Sequence, residues 1–129
     1  MTIFSKIIAG QIPCYKIAED ERFFAFLDIN PMTKGHTLVI PKIEEDYLFD
    51  LDDTILADMM LFAKKIALAQ KIATNCKRVG VAVLGMEVPH AHIHLVPLNS
   101  EKDMSFTQPK LQLTKEEMIE ISEKIVSAL

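Results

Sequence analysis

The chain has 129 residues, half of them hydrophobic and a quarter charged, with a formal net charge of −4. That length is one domain's worth, enough to bury a core without staples, and the negative balance excludes binding a nucleic-acid backbone by bulk electrostatics. Cys14 and Cys76 make no motif and suit a reduced, cytoplasmic protein, the opening stretch broken by Lys6 lacks a signal-peptide core, and no window is apolar for long enough to span a bilayer.

Residues 3–10, IFSKIIAG, place Ile3, Phe4, Ile7 and Ile8 on one helical face, and Gly10 can close the helix in a left-handed conformation. Residues 14–20 and 23–29 read as strands joined by a polar turn at 19–22. Residues 30–35, NPMTKG, are a turn by composition. Residues 36–41, HTLVIP, form a third strand, stopped by Pro41, which cannot donate to a ladder. The period changes over 52–74. There Ile55, Leu56, Met59, Met60, Phe62, Ala63, Ile66, Ala67 and Ala69 recur at helical spacing behind an N-cap at Asp52 or Asp53. The methionines read as core filler. Residues 78–85 and 90–97 are two further strands. Thr114 and Glu117 stand at capping-box spacing, and Met118, Ile121, Ile125 and Leu129 make one helical face beyond them. Consecutive strands favour antiparallel pairing, so the class is α+β, expected as one domain over residues 1–129.

Residues 85–97, GMEVPHAHIHLVP, hold three of the four histidines: His90, His92 and His94. On a strand, residues two apart share a face, so the three imidazoles point one way while Ala91, Ile93 and Leu95 point into the core. A purely structural row is one reading. A metal site is another: alternate residues are roughly 6.6 Å apart, so two histidines can share an ion, and a third ligand would come from His36, Asp28 or Glu87. No CxxC or HExxH motif supports that reading. The third reading is attack on phosphorus. A neutral imidazole is a good nucleophile near neutral pH, one neighbour can face the phosphate oxygens, and another can relay a proton to the leaving group. The preceding residues, 85–89, would offer backbone N–H groups to a phosphate.

At these residues the chain resembles the histidine-triad (HIT) family of nucleotidyl hydrolases and transferases. HAHIHLV matches the signature His-φ-His-φ-His-φ-φ, where φ is apolar, and residues 3–42 are similar to the family's N-terminal half. The resemblance implies a five-stranded antiparallel sheet with helices packed on it, which two chains would extend into one continuous sheet as a homodimer. It implies that His92 is the nucleophile attacking the α-phosphorus, that the His90 carbonyl orients it, and that His94 contacts phosphate and assists the leaving group. His36 is the fourth histidine near the triad. Asp28 would hold the ribose hydroxyls. Phe4, Ile7, Phe26, Leu27 and Ile29 would surround the base, with Glu87 and Val88 completing the nucleotide-binding set. The expected ligand is an AMP- or GMP-type nucleotide, with no nucleic acid, membrane or cofactor involved; magnesium would enter only with polyphosphate substrates.

Two departures stand out. Many members carry a C-x-x-C pair for a structural zinc, and Thr2 and Ser5 occupy those positions here. Just before the triad, members often have Gln and a small hydroxyl residue, where this chain has Met86 and Glu87. A carboxylate beside a phosphate repels it unless protonated or turned away. Altered substrate choice is one expected consequence. The alternative is a purine-nucleotide-binding regulatory module with little or no catalysis.

Overall fold

A computed structural model describes residues 1–129. The elements are α1 (Ile3–Ile8), β1 (Lys16–Glu19), β2 (Phe23–Leu27), β3 (Thr37–Pro41), α2 (Asp53–Thr74), β4 (Arg78–Ala82), β5 (Ile93–Leu98) and α3 (Lys115–Ser127). Short 3-10 turns at Leu48–Asp50 and Glu101–Asp103 sit in connections that carry no periodic signal. The strands form one sheet in the order β1-β2-β3-β5-β4, every pair antiparallel. The α+β class and the five-stranded antiparallel sheet are therefore as the sequence predicts.

One face of this sheet is covered by α2 and α3 and part of the other by α1, so β2 and β3, buried on both sides, read as unbroken apolar runs. Phe23, Ala25, Leu27, Val39, Ile93 and Leu95 face α2 and α3, where Met59, Ala63, Ile66, Met118, Ile121 and Ile125 meet them. Burying a Leu or Ile side chain of this kind stabilises by about 1.5–3 kcal/mol. The alternate residues Phe24, Phe26, Leu38 and Ile40 face the other way, and only the short α1 lies there, through Phe4, Ile7 and Ile8. A six-residue helix cannot cover a sheet face. The remainder of that face is open.

Local chemistry fixes the ends. Thr2 caps α1 through its side chain, and Gly10 follows the helix at φ +78°. Thr114 and Glu117 form the expected reciprocal box before α3. Leu129 lies beyond that helix and is exposed, so the buried face stops at Ile125. Of the two adjacent methionines in α2, Met59 is buried and Met60 points outward. Gly35 takes φ +94° just before β3, and an added Cβ would lie 3.1 Å from the Thr74 side chain. Close behind it Gln70 reaches from α2, its Nε2 donating to the carbonyls of Gly35 and Leu95, both at 2.9 Å.

The last predicted strand is shorter than expected. Ordered pairing begins at Ile93, opposite Val39, and His90 to His92 lie outside β5. Extending the register would set Ala91 against Pro41, which has no N–H to donate. The Ala91 N–H goes instead to the Glu45 carbonyl, and the Pro41 carbonyl is taken by the His90 ring. Ala91, Ile93 and Leu95 still enter the core as their alternation predicts.

Candidate functional site

A cleft of about 440 Å³ opens on the thinly covered face of the sheet, a size suited to a small ligand. His36, His92, His94, Asp28, Phe4, Ile7, Phe26, Leu27, Ile29, Glu87 and Val88 all line it. His90 does not: it is fully buried behind His92. Phe4, Phe26 and Leu27 belong to the core as well as the cleft wall, whereas Ile29 is mostly exposed on the rim. Residues 85–88 form the facing rim, with the Met86 side chain turned out to solvent.

The imidazoles are held by a directional set of hydrogen bonds. His92 Nδ1 lies 2.7 Å from the His90 carbonyl. A carbonyl only accepts, so Nδ1 carries the proton and Nε2 of neutral His92 is left with a free lone pair. His94 is held in the opposite sense. The Met32 N–H donates to His36 Nδ1 at 3.1 Å. His36 must then carry its proton on Nε2, which donates to His94 Nδ1 at 2.9 Å. His94 is consequently protonated on Nε2. The two rings are neighbours, with centroids 5.0 Å apart. One is a poised nucleophile and the other a poised donor.

Burial keeps the donor neutral. Desolvation, reinforced by the neighbouring His94 and by Lys110, lowers His36 to about 3; desolvation, reinforced by His92 and Lys110, lowers His94 to about 4. His90 is lowered chiefly by desolvation. Asp28, half-enclosed at the end of β2, is raised for the same reason, partly offset by the Asn30 N–H donating to its Oδ1 at 2.8 Å. The side chain thus forms the turn that a strand-end Asp usually forms, and Oδ2 still lies 3.6 Å from His36 Nε2. At that distance, beside a neutral imidazole, this is no ion pair.

Asp28, His36 and His94 bring ligand-type atoms within 4.8 Å of one another. The 2.9 Å bond between His36 and His94 uses one lone pair and one N–H of that group, so binding an ion there would break it. The C-x-x-C zinc that the resemblance would allow does not fit either. Thr2 and Ser5 supply neutral hydroxyls, and both ring nitrogens of the nearby His90 are engaged, by Thr2 and by the Pro41 carbonyl.

Two cleft residues carry no signal of periodicity or motif: Phe106 and Lys110. The Phe106 ring stands edge-on to His94 with centroids 5.3 Å apart, and Lys110 Nζ lies 5.6 Å from the Phe106 centroid. Lys110 is the only Lys or Arg in the lining. The available clue is that Phe106 is the sole aromatic residue after Phe62.

Comparison with known proteins identifies the family. The family model described as HIT domain matches residues 9–101. Adenosine 5′-monophosphoramidase HNT1 of Saccharomyces cerevisiae is 43% identical over 101 residues, covering 78% of this chain. The match takes in 64% of that protein, so the chain spans slightly under two thirds of it. Adenosine 5′-monophosphoramidase hnt1 of Schizosaccharomyces pombe is 35% identical over 98% of this chain and 97% of its own length. Among solved structures, a HIT-like protein of Bartonella henselae described as involved in cell-cycle regulation superposes with a TM-score of 0.85. Its sequence identity is 32%, covering 99% of this chain and 96% of that one.

Proposed function

The chain belongs to the HIT-domain family, and from that premise we propose that it is a nucleotidyl hydrolase, cleaving nucleoside 5′-monophosphoramidates through a nucleotidyl-His92 intermediate. The observation that carries this reading is the pairing of opposite tautomers: a bare Nε2 on His92 beside a protonated Nε2 on His94, on one wall of an apolar cleft. The relatives named adenosine 5′-monophosphoramidase support the substrate class. Acyl-adenylates and dinucleoside polyphosphates present the same α-phosphorus and are candidate substrates by the same chemistry.

In the first step His92 Nε2 attacks the α-phosphorus and the bond to the leaving amine breaks. His94 Nε2–H donates a hydrogen bond to the leaving nitrogen, which departs as the free amine with a proton taken from solvent, while His94 stays neutral. In the second step water attacks phosphorus, its proton passes to solvent, and the His92 Nε2–phosphorus bond breaks to release the nucleoside monophosphate and neutral His92. Placing both groups beforehand is worth much of the barrier, since the chain holds them rather than recruiting them. Asp28 at the inner wall would take the ribose hydroxyls, and Phe4, Ile7, Phe26 and Ile29 would flank the base. One domain, residues 1–129, provides all of these groups.

The test is AMP release from adenosine 5′-phosphoramidate by wild type and by His92→Ala. Turnover by wild type alone supports the reading. AMP binding without turnover moves it to the regulatory nucleotide-binding module, with Glu87 on the rim as the group opposing phosphate; turnover unchanged in His92→Ala removes it.

The working unit is a homodimer joined at β4. That strand ends the sheet and leaves its edge unpaired, with Val81 exposed. The adjacent α2 exposes Leu61, Leu68 and Ile72 on one stripe. A dimer mass by sedimentation equilibrium, lost in Val81→Lys, is expected; a wild-type monomer at micromolar concentration rules it out. A reducing cytoplasm suits the free thiols of Cys14 and Cys76. No helix is long and apolar enough to cross a membrane.

A further inference from the structure

Behind the cleft, four side chains from three parts of the chain form one polar line. Thr2 Oγ1 lies 2.7 Å from His90 Nδ1. The other His90 nitrogen, Nε2, lies 2.8 Å from the Pro41 carbonyl, which can only accept. The His90 proton is therefore on Nε2, and the Thr2 hydroxyl donates to Nδ1. Thr2 Oγ1 accepts from the Ser5 N–H at 3.0 Å. The Ser5 hydroxyl donates to Glu44 Oε1, and the same oxygen accepts from the Thr2 N–H at 2.9 Å. A charged acceptor thus ends the line and strengthens the two bonds made to it. Phe4 packs edge-on against both His90 and His92, with centroids 5.8 Å and 5.1 Å away.

Both ends of the His90 ring are consequently fixed. Its backbone carbonyl accepts the hydrogen bond from His92 Nδ1–H. Rotation of the His90 ring would release the Pro41 carbonyl, on which the end of the sheet depends, and let the backbone at 90–92 shift. We propose that Thr2 and Glu44 are positioning residues for His92: the Glu44–Ser5–Thr2 line anchors His90 and so holds the carbonyl that keeps His92 in its nucleophilic tautomer. Thr2 and Ser5, at the positions where the resemblance would put a metal-binding cysteine pair, make this cross-link together with the Glu44 carboxylate. The inference deepens the proposed role of His92 and rests on it.

The experiment compares wild type with Thr2→Val, Thr2→Ser and Glu44→Ala. Histidine ring ¹⁵N resonances of the resting protein report each tautomer, and kcat and KM are measured on adenosine 5′-phosphoramidate. In Thr2→Val the rings of His90 and His92 are expected to sample both tautomers, with kcat falling about tenfold and KM nearly unchanged, because a reacting group is misplaced while the groups that bind substrate stay where they are. Thr2→Ser restores the hydroxyl and should behave as wild type. Glu44→Ala leaves the Thr2 hydroxyl and the helix cap in place and should shift the same signals in the same direction by less, so it serves even if Thr2→Val does not fold. Ring signals unmoved in Glu44→Ala and Thr2→Val overturn the proposal, as does one equivalent of zinc in the purified wild type. Because the resonances are read without turnover, an inactive wild type would count against the proposed reaction and leave this test standing.

Discussion

His36 Nε2 donates to His94 Nδ1 at 2.9 Å, and that single bond decides which nitrogen of His94 faces the cleft with a proton. The direction follows from the Met32 N–H, which occupies the other His36 nitrogen. A fourth histidine outside the triad thereby sets the protonation pattern of one inside it.

Replacing His36 tests this directly. His36→Leu keeps the apolar volume and removes the donor, so His94 can place its proton on Nδ1 and lose the group needed by the leaving amine. Removing one oriented donor to a group that develops charge in the transition state typically costs about 10²–10³ in kcat, and kcat should fall toward the lower end of that range with KM much less affected. Equal kcat in the two proteins would show that His36 merely fills space.

Acid sensitivity is a second consequence. In the unfolded chain His36 and His94 take up protons near the ordinary value of 6.5, but in the fold only near about 3 and about 4. Below 6.5 the unfolded state therefore binds more protons, so their neutral burial favours the fold fully above 6.5 and progressively less as pH falls. Glu19, Glu44 and Glu117 are held below their ordinary 4.5, mainly by hydrogen bonds, so their contribution is lost at lower pH. Asp28, raised by burial, works in the opposite direction. Urea midpoints measured downward from neutral pH should drop between 6.5 and 4.5, and less steeply in His36→Leu. A flat midpoint over that window would contradict the assigned burial.

Gln70 links packing to the site. Its two N–H groups hold Gly35, just before His36, and Leu95, just after His94, while its Oε1 finds no protein partner. Gln70→Met is similar in volume but leaves two buried carbonyls without donors, a cost of about 1–3 kcal/mol. Denaturation should show that loss together with reduced kcat. Unchanged stability would mean that water replaces the amide without penalty.

Lys110 is the one cation on the cleft wall, beside Phe106 and donating to the Ser105 carbonyl at 3.0 Å. Lys110→Met should raise KM for the anionic nucleotide several-fold, leave thermal stability nearly unchanged and weaken the dependence of KM on salt. A KM equal to that of wild type would place the ammonium outside the bound complex.

What could be read from the sequence alone follows from how local each signal is. Ala91, Ile93 and Leu95 go to the core because alternation is written in adjacent residues. The end of β5 was not legible in the same way. It depends on Pro41 standing opposite Ala91 and on the Glu45 carbonyl, neighbours made only by folding. Thr2 and Ser5 could be read as poor zinc ligands from their chemistry, but what they do instead requires Glu44 and His90, 42 and 88 positions from Thr2. Phe106 and Lys110 lie in a connection without period or motif, and only the path of the chain across the cleft brings them to His94. The row of histidines was legible as a row. Its division into nucleophile and donor depends on hydrogen bonds to the His90 carbonyl and to His36.

The most direct test of the central claim is intact-protein mass spectrometry after brief mixing with adenosine 5′-phosphoramidate, quenched within the first turnover, with His92→Ala beside the wild type. An added adenylyl mass on the wild type alone is the predicted result. An adduct that persists in His92→Ala, or AMP release at the wild-type rate by that variant, would contradict nucleophilic attack by His92.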